Sequence, residues 1–416
     1  MGTHLWFHGN LSLVSNSKGK NSNTICTTTI SNEWEMNINQ TLEKEEEEEG
    51  EDKEEQEKAR REWDFSLCTT VVTSSSIGSV SDTISVIEFD PSDRFIVTGG
   101  LARKIRLYRL QSLIPPHYSS IEVTNISSCL LDHTSACDYY ICAPAKLSSL
   151  RWKPGADSRV VGSGDYDGVV TEYDLERQTP IFERDEHGGR RVWSVDYSHW
   201  GGSQVGASGS DDGTMQVWDT RLDNTKCVAV VQPSESRSPI CCVEFDPCGG
   251  QLVAIGCADR NAYTYDVRNM MRPVSVFLGH QKTVSYVRFS NGHTMVSAGT
   301  DGCLKLWDMD NGGIIRTYKG HINCKSFVGL SVWRSGGLIG CGSESNEVFV
   351  YDKRWSDPIW VRGLEQQHES GCSYRFVSSV CWRQKAKEED ECAIVTGGSD
   401  GDLQVFLGKR RSPSLG

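Results

Sequence analysis

The sequence predicts an all-β fold, a propeller of seven four-stranded blades behind an acidic tail. Three observations carry this reading. From Trp63 onward, short runs that alternate apolar and polar residues, such as Thr83–Phe89, Phe95–Thr98 and Ile105–Tyr108, are broken by Gly, Asp, Pro and Ser. That period of two is the pattern of antiparallel sheet. A hydrophobic strand closes on an aromatic residue seven times, at Tyr108, Tyr173, Trp218, Tyr265, Trp307, Tyr351 and Phe406, with spacings of 65, 45, 47, 42, 44 and 55 residues. Six residues ahead of that aromatic stands an aspartate in five units (Asp167, Asp212, Asp259, Asp301 and Asp400), with glycine next in four of them, while Ala102 and Ser345 replace it in the first and sixth units. One four-stranded unit cannot bury both of its faces alone. Seven set radially cover one another and leave only short edges.

Taken in order, residues 1–61 read as a disordered tail. Met1–Gln40 is rich in Asn, Ser and Thr without sustained periodicity, and Thr41–Arg61 carries a net charge of −6 around the run Glu45–Glu49. The propeller is expected over 62–408, and a short basic tail over 409–416. The repeat resembles the WD40 repeat over about 340 residues, with Gly279-His280 and Gly320-His321 opening two units. The turn aspartates can bond the turn backbone and a histidine such as His280, which makes them structural. In WD40 proteins an N-terminal strand completes the last blade, so the resemblance implies that Trp63–Val71 pairs beside Leu403–Leu407. The long first and last spacings imply insertions near Gln111–Pro144 and near Gln366–Tyr374 or Gln384–Glu391, where partner contacts often sit.

Composition narrows the function classes. The 416 residues carry a net charge of −13, which argues against nucleic acid as a partner. No run of about 18 apolar residues occurs, so no membrane span is expected. Met1–Asn16 lacks a signal-peptide pattern, and Trp6 breaks the myristoylation motif, so a reducing compartment is expected; the expected localisation is the nucleus and cytosol. The sixteen cysteines show no C-x-x-C spacing, so they read as buried thiols and no metal site is expected. No nucleophile-elbow, P-loop, zinc-protease or kinase signature occurs, so neither catalytic residues nor a cofactor are expected. The chemistry that remains is recognition.

Residues just ahead of each innermost strand line one mouth of the central channel. There stand Lys146 before Leu147–Trp152, Arg191 and Trp193 in Arg191–Tyr197, Lys282 before Val284–Phe289 and Phe327 before Val328–Val332, with Tyr166 in a turn of the second blade. Aromatic faces can grip proline and small aliphatic groups, while Lys and Arg draw flanking carboxylates.

Several runs sharpen this reading: Lys146-Leu-Ser-Ser-Leu-Arg-Trp152, Asp165-Tyr-Asp-Gly-Val-Val170, Arg191-Val-Trp-Ser-Val-Asp196, His280-Gln-Lys-Thr-Val-Ser-Tyr-Val287 and Gly342-Ser-Glu-Ser-Asn-Glu-Val348. They resemble the WD40 domain of the plant constitutive-photomorphogenic E3 ligase and its SPA partners. That resemblance implies that Lys146, Tyr166, Arg191, Trp193, Lys282 and Phe327 bind peptides with a Val-Pro core preceded by acidic residues. Two departures stand out, an extra residue in His187-Gly-Gly-Arg190 and Cys324 where the ligase has an acid. Residues 1–61 hold no RING, coiled coil or kinase-like region, so the chain is similar to the plant repressors of UV-B photomorphogenesis. The implied role is non-enzymatic: a negative regulator that binds the UV-B photoreceptor and promotes its re-dimerisation. Implied further partners are the E3 ligase, the SPA proteins and transcription factors with Val-Pro motifs. A second reading is a substrate receptor of a cullin-4 ubiquitin ligase, acting on photomorphogenesis or flowering transcription factors. Val205–Arg221 looks like the WDxR box that docks on a DDB-type adaptor through Trp218, Asp219 and Arg221, and Tyr265-Asp-Val-Arg268 is a weaker copy.

Overall fold

A computed structural model describes residues 62–411 apart from 74–80, 115–127, 200–204, 223–226, 365–373 and 386–389. The tail expected over 1–61, residues 412–416 and most of the loops expected near Gln366–Tyr374 and Gln384–Glu391 lie outside the described residues. The strands form seven sheets, six of four strands and one of five. In each blade the first strand is innermost: Ile84–Phe89, Leu147–Trp152, Val192–Tyr197, Ile240–Phe245, Val284–Phe289, Leu330–Trp333 and Val377–Trp382. These seven run side by side, and the last packs on the first, which closes the ring.

Each inner strand ends on a buried aromatic, Phe89, Trp152, Tyr197, Phe245, Phe289, Trp333 or Trp382, which fills the wedge between adjacent blades. Trp333 stacks on Trp382 at 6.1 Å between ring centroids, and Trp63 meets Trp333 edge-on at 5.5 Å. Polar side chains bridge the blades as well. Val195 N–H donates to Ser149 Oγ, Val243 N–H to Ser194 Oγ and Trp382 N–H to Ser331 Oγ, each at 3.0 Å.

Trp63–Val72 pairs antiparallel with Leu403–Arg410, so both ends of the chain build the seventh blade as expected. The boundary expected at 408 moves outward, because Lys409 and Arg410 remain in the strand opposite Asp64 and Trp63. Ion pairs flank this end of the strand: Glu62 meets Arg354 and Arg410 at 3.1 and 3.3 Å, and Asp64 meets Arg411 at 2.5 Å. Part of the first insertion returns as Cys129–Asp132, which pairs in parallel with Trp63–Val72 and makes the fifth strand.

The recurring turn explains the repeat pattern. One position per blade adopts a positive φ: Arg103 (57°), Gly168 (91°), Gly213 (80°), Arg260 (80°), Gly302 (73°), Asn346 (61°) and Gly401 (94°). Glycine there avoids the clash that a Cβ suffers in the left-handed region. The turn aspartates are structural where they meet histidines. His187 Nδ1 lies 2.8 Å from Asp212, His280 Nδ1 lies 3.0 Å from Asp301, and the chain continues through Ser297 to the Trp307 indole. In the second blade Asp165, not Asp167, receives the turn N–H groups of Asp167 and Val169. In the sixth blade Ser345 replaces the aspartate, and His321 faces the Tyr351 hydroxyl at 3.1 Å.

Burial pushes the His321 imidazole down to about 4. The folded protein therefore holds it neutral, while the unfolded chain protonates it near 6.5. Stability tied to this group is complete above pH 6.5 and is lost as pH falls from 6.5 through 4. Urea midpoints measured from pH 7 to pH 4 should fall less steeply for His321→Gln than for the wild type, a difference on the order of 2 kcal/mol. Parallel curves would remove His321 from the acid response.

Candidate functional site

The first strand of a blade descends from the face that carries the loops ahead of it. On six of the seven inner strands the ladder slips by one residue near that face, at Ser85, Ser148, Trp193, Cys241, Ser285 and Ser378. A bulge re-aims the extra side chain. Five of these positions hold Ser or Cys, and the third blade alone places a large aromatic there. Trp193 thereby joins the lining of a central cavity of about 620 Å³, together with Tyr166, Tyr286, Lys325 and Phe327.

Four of the six expected residues come together in one stack. Trp193 lies on Phe327 with centroids 4.5 Å apart and planes at 15°. The Arg191 guanidinium sits 4.0 Å from the Tyr166 ring centre and 4.5 Å from that of Trp193, with its Nε enclosed and without a hydrogen-bond partner. Both rings offer Arg191 their negative faces, which attract a cation. The Trp193 indole N–H donates to Asp211 at 2.5 Å and fixes the ring.

Lys146 and Lys282 are exposed on the same face but do not join the stack. The Lys146 carbonyl accepts the Tyr166 N–H at 2.9 Å, which sets the lysine beside the aromatic group. Lys282 stands between Gln281, whose N–H donates to Asp301 at 2.8 Å, and Thr283, whose carbonyl accepts the Thr300 N–H at 2.9 Å. Neither ammonium group has an ion pair among the described residues, so both are available to carboxylates from solution.

Sequence reasoning missed three members. Tyr286 meets Phe327 edge-on at 5.8 Å, and Asp211 anchors the indole. Tyr286 occupies an inner-strand position that holds Val86, Ser149, Ser194, Cys242, Leu330 or Ser379 in the other blades, so its being the one aromatic was the available signal. Lys325 is the third, at 5.6 Å from the Tyr374 ring. Its backbone is fixed by Glu344, which accepts the N–H groups of Lys325 and Ser326 at 2.9 and 2.7 Å. Burial raises the Glu344 carboxyl, but these backbone donors outweigh it and hold the group at about 2.

Deeper in the channel, the penultimate residues of five inner strands are charged: Glu88, Arg151, Asp196, Glu244 and Arg288. Arg151 pairs with Glu88 and lies 3.4 Å from Asp196, and Arg288 and Arg334 lie 3.8 and 3.5 Å from Glu244. These charges satisfy one another and leave the ligand chemistry to the mouth.

The docking box is built differently. Trp218 is buried in the core, while Arg221 is exposed and forks onto its own Asp219 at 2.6 and 2.9 Å. Arg268 repeats this fork on Asp266.

Comparisons with known proteins agree with the repeat. Residues 202–352 match the family model described as nucleolar protein 10-like, N-terminal domain, and residues 178–219 match the WD domain, G-beta repeat. The chain is 61% identical to WD repeat-containing protein RUP2 of Arabidopsis thaliana over 80% of its own length and 89% of the relative's. It is 56% identical to WD repeat-containing protein RUP1 of the same plant, over 84% and 86% of the two lengths. To the E3 ubiquitin-protein ligase COP1 of Pisum sativum it is 37% identical over 78% of this chain, which covers 44% of the ligase.

Proposed function

Because the chain belongs to the family of the plant WD repeat-containing proteins RUP1 and RUP2, with the protein-interaction role of a WD40 propeller, we propose that it is a negative regulator of UV-B signalling. It binds the UV-B photoreceptor, in the nucleus and cytosol, and promotes return of the active monomer to the inactive dimer. The observation that supports this reading most is the stack at the channel mouth, where Arg191 lies between Tyr166 and Trp193 and Trp193 lies on Phe327. Such a platform grips the Val-Pro core of a flexible tail, and Lys146 and Lys282 attract the acidic residues ahead of it. Transcription factors with the same motif compete for this face, and the COP1-type ligase and SPA proteins act on the same set of ligands. To act on the rate of a return that proceeds by itself, the protein binds the association transition state more tightly than the monomer and releases the dimer, so no nucleotide or other cofactor is needed.

The test mixes UV-B-monomerised photoreceptor with the protein at about one-tenth the molar amount, a ratio that separates turnover from capture. Dimer should recover well past the amount of protein added. Recovery that stops at that amount would make the protein a sequestering partner instead. A second measurement addresses the lysines. Lys146→Glu and Lys282→Glu should each slow association with an acidic Val-Pro peptide about two- to fivefold at low salt, and the difference should shrink as salt is raised. Binding that is independent of salt would sink the electrostatic part.

The exposed Arg221 fork favours a second reading, docking on a DDB-type adaptor of a cullin-4 ligase. Adaptor capture by the wild type that is lost in Arg221→Ala would support it, and equal capture would rule out this contact.

A further inference from the structure

Three of the non-glycine residues with a positive φ are arginines: Arg103, Arg237 and Arg260. Side chains with a Cβ are strained in this region, and such strain persists mainly where function keeps it. Arg260 holds the turn position that is glycine in the second, third, fifth and seventh blades. Arg237 lies in the loop that opens the fourth blade, and its backbone packs so tightly on Gly213 that a Cβ there would meet the Arg237 carbonyl at 2.6 Å. Gly213 belongs to the same turn as Asp211, the anchor of the Trp193 indole. The strand that leads into the Arg260 turn passes the carbonyl of Val284, two residues beyond Lys282, at 3.0 Å from the Cβ position of Gly256. The third, fourth and fifth blades thus carry these cations in succession on the face that holds the mouth.

Both side chains are exposed, and neither has a carboxylate within 4 Å or a side-chain hydrogen bond among the described residues. Four arginines elsewhere in the propeller are paired: Arg106 with Asp82, Arg184 with Glu186, Arg288 with Glu244 and Arg383 with Asp93. Arg103 stands apart in the first blade, where it reaches the Pro144 carbonyl at 3.4 Å.

We propose that Arg237 and Arg260 extend the peptide site into a basic arc, running from Arg191 to Lys282, that takes the acidic stretch flanking the Val-Pro core. The inference rests on the reading of this face as a peptide site. It explains why the fourth blade keeps Arg260 where four other blades have glycine.

The test compares two fluorescent peptides that share a Val-Pro core, one flanked by four acidic residues and the other with those residues changed to Gln and Asn. Arg237→Gly and Arg260→Gly should each weaken the acidic peptide about two- to fivefold, and the double variant about tenfold, with the neutral peptide unchanged. Arg260→Gly should also melt at or above the wild-type temperature, because the strain is released. Equal affinities of variants and wild type for the acidic peptide, equal losses for both peptides, or a lower melting temperature of Arg260→Gly would each overturn the arc while leaving the peptide site standing. A wild type that binds neither peptide overturns both readings together.

Discussion

Trp193→Ala is expected to weaken binding of an acidic Val-Pro peptide by about thirtyfold, the equivalent of about 2 kcal/mol, and to leave the melting temperature within a couple of degrees of the wild type. The affinity loss follows from the position of the ring. It lies on Phe327, flanks Arg191 and is fixed by Asp211, so it offers a rigid face at little entropic cost on binding. The stability argument comes from the other blades. The same bulged position carries Ser85, Ser148, Cys241, Ser285 and Ser378, so the fold accepts a small side chain there five times over. Fluorescence anisotropy and a thermal melt on one preparation decide the matter. A melting temperature lowered by about 10 °C would place Trp193 in the core, and unchanged affinity would remove it from the site.

The propeller was legible in the sequence because its physics is repeated. The strand-ending aromatics Tyr108, Tyr173, Trp218, Tyr265, Trp307, Tyr351 and Phe406 recur in phase, each buried in the third strand of its blade. The closing strand at Trp63 was legible from the resemblance for a related reason, since a seventh blade made from both chain ends is how such a ring locks. Tyr166, Arg191, Trp193 and Phe327 could be placed on one mouth because each precedes or begins an inner strand or sits in the adjoining turn. The use of His187 was not visible, since its partner Asp212 is set by the angle between neighbouring loops rather than by spacing. Asp211 was hidden next to Asp212, and only the fold shows that one faces the indole and the other the imidazole. The parallel strand Cys129–Asp132 could not be read from periodicity, because four residues inside an insertion carry no usable period.

The second large effect is expected in the channel, at Arg151. Its guanidinium lies between Glu88 and Asp196, carboxylates from the two flanking blades, in a wall mostly closed to water. Burial already pushes the Glu88 carboxyl above its ordinary range, against the pull of Arg151 and Arg288. Arg151→Met removes the cation and leaves two facing acids, so it should destabilise the protein by about 3 kcal/mol at pH 7 and lower its melting temperature by about 4 °C. The loss should depend on pH in a defined direction. Without Arg151 the folded state holds the Glu88 proton more tightly than the unfolded chain does, so stability rises as pH falls from 7 toward 5. The wild type should gain less from this group, since Arg151 and Arg288 hold part of the Glu88 charge, and His321 weakens both proteins alike over the same range. Glu88→Gln added to Arg151→Met should restore more than half of the loss, because the neutral amide needs no counter-charge and Asp196 keeps the Phe245 N–H at 2.7 Å. Denaturant midpoints at pH 7 and pH 5 for the wild type, the single and the double variant measure all three expectations. A single variant as stable as the wild type at pH 7, or one whose deficit against the wild type grows at pH 5, would mean that water in the channel screens these charges and that the ring of aromatics alone holds the blades together.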